Sequence, residues 1–497
     1  MGLYINDDFC GFWLSGFGNM NRDGLKKQID FYTEKGGVTA ILFNMNAQRA
    51  YFASKVWDCA WKDVSDDAQG RLFFGGLEVQ NYTPEPPLLD MVRNSREMAK
   101  NVPDIFEFRY RYCHEKGVEM WHSMRMDDTH WVPNPEYVQH STFWRENPGF
   151  RRAAYRKTLS SVWNDQALDY LHPEVRAYEL SLIAEYLSHE CDGIELDFLR
   201  DCPVFRPGGG EEGRPLLTQM MRDIRREADR CAEKFGHRVR IMVRVPPDPN
   251  DCVLLGLDVK IWAEEGLCDI VTPSAVSPGG SRPDIPVAIW RMILPERIEL
   301  AAGIEIGMHS GYAGGNLRSG MATDAGYAAT FYYRGADSIY FYNHFYSGAG
   351  YTERELQKIT YSFIGDRAKT EAQFRRHVAA AGGSCVPGRT ESRPFHPLAW
   401  KKSGIYNEID AGGGTAGRTG YVVIGSNTEI KAADIRLNTV LCERVEVPAD
   451  LELPKSLFCA CFRAPDGVLH DGMNGIDVIN QSVEADFELH WVELDVR

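Results

Sequence analysis

The chain has 497 residues, more than one ordinary domain needs and enough for one large domain plus an accessory one. With 44% hydrophobic and 25% charged residues it has the composition of a globular protein. A formal net charge of -15 argues against nucleic acid or an anionic membrane surface as a main partner.

The 12 cysteines are scattered and form no CxxC pair, so zinc-ribbon and disulfide-scaffold readings fall away and free thiols are expected. No basic stretch leads into an apolar run near Met1, so no signal peptide is expected. No run of about 18 apolar residues occurs, so no membrane span is expected, and the expected location is the cytoplasm.

In chain order, the first strand is predicted at Leu3–Ile5 and a helix at Asp23–Lys35, stopped by Gly36-Gly37. Val38–Phe43 is wholly apolar, as a buried parallel strand should be, and ends in Asn44, Asn46 and Arg49, groups suited to sugar hydroxyls. Residues 50–85 read as an irregular, aromatic-rich insertion, and 86–117 as helix interrupted near Pro103. The third strand, Val118–Met124, carries His122 and ends in Arg125, Asp127 and Asp128. A second aromatic-rich loop follows, holding Phe143, Trp144 and Phe150. Together the two loops suggest a lid or a sugar-stacking wall.

The amphipathic segment His172–Glu190 then feeds DGIELDFLR, Asp192–Arg200, where Ile194, Leu196 and Phe198 alternate with acids at strand period. Pro215–Phe235 is a helix, and Arg238–Val245 is a strand carrying Arg244. Leu257–Glu265 is a helix and Leu267–Pro273 a strand. Ile285–Leu294 is a helix and Ile298–Ile304 a strand ending at Glu305, with His309 in its loop. Met321–Arg334 is a helix, and the eighth strand, from Gly335, ends at Asn343 and His344. Eight short apolar strands alternating with helices, each ending polar, form a (β/α)8 barrel pattern within the α/β class. Tyr351–Arg376 reads as the closing helix. The expected division is a barrel over 1–378 with long loops after strands two and three, a linker over 379–396, and a β-sandwich over 397–497.

The motif Asp192-Gly193-x-x-x-Asp197 resembles the fourth-strand motif of several TIM-barrel glycosidase families. The whole segment from His172 to Arg200 is similar to the "family 10-like" glycosyl hydrolase group, and the resemblance covers roughly residues 1–365. It implies a glycosidase, and the expected cytoplasmic location points to a small carbohydrate rather than a polymer as its substrate. By likeness to the alpha-amylase family, Asp197 would be the nucleophile. By likeness to the large retaining clan, a strand-four residue is the acid/base and a strand-seven residue, here Glu305, the nucleophile. Both assignments stay open. The chitinase motif differs, because its catalytic Glu would fall on Leu199.

Chemistry in barrels of this kind sits where strands end, and glycoside hydrolysis needs two carboxyl groups flanking one bond. Asp197 and Glu305 are the leading pair, with Asp127 third and Asp128 and Asp248 in reserve. Glu195, two residues before Asp197, shares its face one layer deeper. Arg125, Arg200 and Arg244 end adjacent strands, and their guanidinium forks suit an acidic, uronic or sulfated sugar. The remaining candidate substrate contacts are Asn44, Asn46, Arg49, His122, Asp128, His309, Asn343 and His344. No cofactor and no metal is expected. A metal-dependent hydrolase built from His122, Asp127, His130, His309 and His344, and a non-catalytic sugar-binding barrel, are the alternatives.

Overall fold

The computed structural model describes residues 2–8, 11–13, 19–79, 87–130, 134, 136–153, 163–275, 281–309, 316–318, 320–344, 354–379, 398–400, 404–481 and 487–497. In chain order its elements begin with β1 (Leu3–Asp7), α1 (Arg22–Thr33), β2 (Ala40–Asn44), β3 (Val64–Asp66), β4 (Leu72–Phe74), β5 (Leu77–Glu78), α2 (Pro87–Asn101), α3 (Ile105–Glu115), β6 (Glu119–Arg125) and α4 (Thr142–Glu146). There follow α5 (Pro173–Ser188), β7 (Gly193–Asp197), α6 (Gly210–Phe235), β8 (Arg240–Val245), α7 (Pro249–Leu254), α8 (Val259–Glu264), β9 (Ile270–Pro273), α9 (Val287–Ile293), β10 (Glu299–Glu305), β11 (Gly307–His309) and β12 (Asn316–Arg318). Next come α10 (Met321–Tyr333), β13 (Ser338–Tyr342), α11 (Arg354–Ile364), α12 (Arg367–Glu371) and β14 (Arg375–Val378). The chain ends in β15 (Leu398–Trp400), β16 (Ile405–Asp410), β17 (Gly420–Ser426), β18 (Ala433–Leu437), β19 (Val440–Leu441), β20 (Glu443–Val445), β21 (Phe458–Arg463), β22 (Met473–Asn480) and β23 (Phe487–Val496).

Eight parallel strands close in the order β1-β13-β10-β9-β8-β7-β6-β2, with helices outside. This is the expected (β/α)8 barrel. Its strands are buried on both faces, which is why they read as apolar runs. Inward positions at the barrel floor carry Tyr4, Ala40, Leu42, Trp121, Met242, Ile270, Ala301 and Tyr340. Outward positions pack on the helices in one large core.

The first half of the DGIELD motif serves this packing. A Cβ on Gly193 would lie 2.6 Å from the Trp121 ring, so only glycine lets β6 and β7 pair there. The Asp192 carboxylate accepts from the Met120 N–H at 2.8 Å and pairs with His114 Nε2 at 2.9 Å, pinning α3 to the foot of the barrel. Asp192 and Gly193 are therefore framework.

Two antiparallel sheets, β14-β23-β17-β21-β20 with β15 on β23, and β16-β22-β18-β19, enclose a second core with Ile409, Val422, Ile435, Phe462, Ile476 and Leu494. This is the expected β-sandwich. The predicted closing helix over Tyr351–Arg376 is corrected. It breaks at Gly365, whose Cβ would press on the Leu3 backbone nitrogen at 3.0 Å, and α12 restarts on the Asp366 cap. Its expected last turn is instead β14, paired antiparallel with β23. The sheet thus begins ahead of the expected linker, and residues 380–397 lie outside the described residues. The insertion expected to be irregular holds the small sheet β3-β4-β5.

Candidate active site

Strand register sets the site. Arg125 on β6 is level with Asp197 on β7, and Asp197 with Arg244 on β8. Glu305 closes β10, level with Tyr342 on β13. At the carboxyl end of the barrel these side chains converge.

The buried Arg244 guanidinium is the hub. Its Nη1 lies 3.0 Å from each oxygen of Asp197, and its Nη2 is 3.7 Å from Glu305 Oε2 and donates to the Ala275 carbonyl at 3.3 Å. It stacks 3.5 Å from the centre of the Tyr342 ring. Asp197 Oδ1 also accepts from the Leu199 and Arg200 N–H groups, each at 3.0 Å. Donors therefore surround Asp197 and hold it as an acceptor.

Glu305 accepts from Asn343 Nδ2 at 2.7 Å, and Ser281 Oγ bonds its backbone. Burial raises its carboxyl to about 6, against the pull of Arg244 and Asn343. Asn343 reaches it from a left-handed conformation at φ 59, a geometry asparagine tolerates better than most side chains. One guanidinium thus joins two carboxyl groups whose side chains are 1% and 3% exposed.

Glu195 lies one layer deeper, as the alternation predicts. It accepts from Asn6 Nδ2 at 2.7 Å and from the Tyr340 hydroxyl, and burial followed by the Asp197 charge raises it to about 7.

Arg125 is clamped between Asp8 and Asp128, the latter at 2.9 Å. Arg200 Nη2 lies 2.9 Å from His130 Nε2, while His130 Nδ1 faces Asp128 at 2.9 Å. Because arginine only donates, Nε2 accepts and Nδ1 carries the proton. Asp128, His130 and Asp201 bring ligand atoms within 4.8 Å of one another. Both ring nitrogens of His130 are already engaged, and two guanidinium groups crowd the cluster, so it does not suit a cation.

Several expected contacts lie elsewhere. Residue parity on β6 turns His122 outward, where it stacks on Tyr186 at 5.0 Å and meets Phe106 edge-on at 4.8 Å. It is a core residue of the helical layer, and burial holds it neutral. His344 stacks on outward-facing Phe341 at 4.0 Å, and burial lowers it to about 3. With both turned away, the set of the alternative metal-dependent reading is not brought together. His309 ends β11, and its side chain lies outside the described residues.

Arg49 is buried in the loop layer, donating to the His140 and Lys62 carbonyls at 3.0 and 2.8 Å. Asn46 fixes the Arg125 backbone through both its N–H and its carbonyl. Asn44 faces the barrel interior and donates to the Ser123 carbonyl at 3.1 Å. Asp127 faces a cavity of about 20 Å³ that Glu179 also lines, and burial, then Asp201, pushes it far up. It does not join the Asp197–Glu305 pair. The reserve acid Asp248 caps α7.

Of the rings in the two aromatic loops, Tyr82, Trp131 and the Trp163 side chain lie outside the described residues, while three others pack inward. Trp57 and Phe143 sandwich Tyr178 of α5 at 4.4 and 4.1 Å, and Trp144 is 1% exposed. These rings tie the long loops to the barrel. Tyr342 and Ser281 were missed as site residues. Tyr342 was legible, because it lies two positions after inward-facing Tyr340.

No family model matches the chain, and no curated protein matches it. Among solved structures, it is similar to the chitinase ChiW of Paenibacillus sp. str. FPU-7, at 10% identity and TM-score 0.41 over 98% of this chain. It spans 53% of that protein's length. It is also similar to a family GH18 chitinase from Chromobacterium violaceum, at 10% identity and TM-score 0.36 over 98% of this chain and 90% of that one. A third is a debranching enzyme from Nostoc punctiforme, at 12% identity and TM-score 0.37 over 96% and 97% of the two chains. Likenesses this distant say nothing of the chemistry here.

Proposed function

We propose that the protein is a glycoside hydrolase working through Asp197 and Glu305. The observation that carries this is the single Arg244 guanidinium joining two carboxyl groups at the ends of β7 and β10. Glycoside cleavage asks for one group that gives a proton and one that acts as carboxylate. Glu305, raised to about 6, suits the proton donor. Asp197, ringed by Arg244 and two backbone donors, suits the carboxylate that attacks the sugar or activates water. Arg244 keeps both on one side of the barrel and fixes their orientation. The test is the pH dependence of kcat/KM on an aryl glycoside. Activity should fall as pH rises through about 6, where Glu305 loses its proton. A rate that keeps rising through pH 8 would remove Glu305 as the acid.

An acidic sugar is the finer reading of the substrate, favoured by the gathering of Arg125, Arg200 and Arg244. Arg125 and Arg244 each hold two protein carboxylates, while Arg200 faces one, Asp201, at 3.8 Å beside its contact with His130, so a uronate or sulfate would be felt most at Arg200, in competition with Asp201.

A further inference from the structure

The barrel and the sandwich meet along α10. They come very close at two glycines. A Cβ on Gly326 would lie 2.2 Å from the Arg376 carbonyl oxygen, and one on Gly412, at φ 67, would lie 2.6 Å from the Ala329 backbone. The Arg334 guanidinium adds an ion pair to Asp410 at 2.5 Å. Between these contacts a cavity of about 430 Å³ remains, a volume in the range of small-molecule sites. Domains docked this tightly on either side would close over such a gap if only packing were at stake.

The cavity wall combines an apolar floor, including Ile285, Val287 and Ile409, with neutral polar groups left unsatisfied. Tyr327 and His377 are 4% and 6% exposed, and the Tyr327 hydroxyl and His377 Nε2 have no hydrogen-bond partner among the described residues. Asn407 Nδ2 is in the same position. Orphaned buried groups of this kind are costly unless something else satisfies them.

Their chemistry defines the occupant. Thr330 Oγ1 donates to the Asp410 carbonyl at 3.0 Å, so it accepts from His377 Nδ1 at 3.4 Å, and Nε2 is left as a bare acceptor. Burial, then Arg375, lowers His377 to about 3, so the ring is neutral. Asn407 offers a donor, and Tyr327 can do either. Asp410 is matched by Arg334 and Asp284 by Arg282 at 3.0 Å, while exposed Glu408 accepts from the Tyr406 hydroxyl at 3.2 Å. Three carboxylates, of Asp284, Glu408 and Asp410, against one lining guanidinium disfavour an anion.

We propose that this interdomain cavity is a binding site for a neutral polyhydroxylated molecule the size of a mono- or disaccharide, separate from the barrel mouth. A hydroxyl group donates and accepts, so one kind of ligand satisfies His377 Nε2, the Tyr327 hydroxyl and the Asn407 amide together. Exposed Ile289 and Met473, at 51% and 44%, also line the cavity and offer apolar contact to the C–H faces of such a ring.

The test is calorimetric titration of the full chain with glucose, galactose, maltose, glucosamine and glucuronate. The proteins are wild type, Tyr327→Phe, Asn407→Leu and Asp197→Asn. Tyr327→Phe removes only an unpartnered hydroxyl and Asn407 is half-buried, so both variants should melt like the wild type. The expected result is saturable binding of a neutral sugar, weakened about three- to tenfold in each cavity variant and unchanged in Asp197→Asn. Binding of no neutral sugar would overturn the proposal. So would binding that both cavity variants keep undiminished, whether or not Asp197→Asn loses it, or binding confined to the charged sugars.

Discussion

Replacing Glu305 with Gln should make the protein more stable at neutral pH while removing its activity. In the folded protein Glu305 titrates near 6 rather than 4.5, chiefly because burial disfavours its charge. The native state therefore binds more protons than the unfolded chain between about pH 4.5 and 6. Stability falls as pH rises through that window and stays low above it. A shift of that size corresponds to about 2 kcal/mol, or about 2–4 °C in thermal midpoint for a barrel of this size. Glutamine is near-isosteric and permanently neutral, and its carbonyl still accepts from Asn343. Thermal unfolding of wild type and variant at pH 4 and pH 7.5 checks this. The variant should match wild type at pH 4 and exceed it at pH 7.5. A variant no more stable than wild type at pH 7.5 would refute the view that Glu305 is held against the preference of its charge.

Arg244→Met should lower stability by about 3–5 kcal/mol, because it strands two buried carboxyl groups; calorimetry at pH 7 and again at pH 5 would show the loss shrinking as Glu305 takes up a proton. His122→Leu should shift the thermal midpoint but leave KM for an aryl glycoside unchanged, since His122 packs against Tyr186 and Phe106 outside the barrel. Arg200→Met should raise KM for an aryl uronide at least tenfold more than for the neutral glycoside; equal effects on both would remove the acidic-sugar reading.

The barrel was legible because its strands are buried on both faces and several of its helices, α2, α6 and α11 among them, are amphipathic. Expected Ile298–Ile304 and observed Glu299–Glu305 differ by a single residue. Within the sandwich, β16 and β22 carry little strand signal of their own, since IYNEID and MNGIDVIN hold Asn, Asp and Gly that disfavour strands. In the site, alternation along β7 placed Glu195 and Asp197 on one face. The same rule, applied to β6 and β13, would have turned His122 outward and brought Tyr342 inward. Sequence could not reveal which arginines are already paired, because Asp8 and Asp128 reach Arg125 from different loops. Nor could it show that Trp57 and Trp144 are packed beneath the surface, since aromatic content is the same for a lid and for padding.

The central claim is most directly tested by measuring hydrolysis of aryl glycosides, uronides included, with wild type and Asp197→Asn, while proton NMR follows the first-formed anomer. Turnover of at least one glycoside as a single anomer, lost by about three orders of magnitude or more in the variant, is the predicted result. Undiminished turnover in Asp197→Asn would contradict the assignment, and no turnover of any glycoside by the wild type would contradict the proposed activity itself.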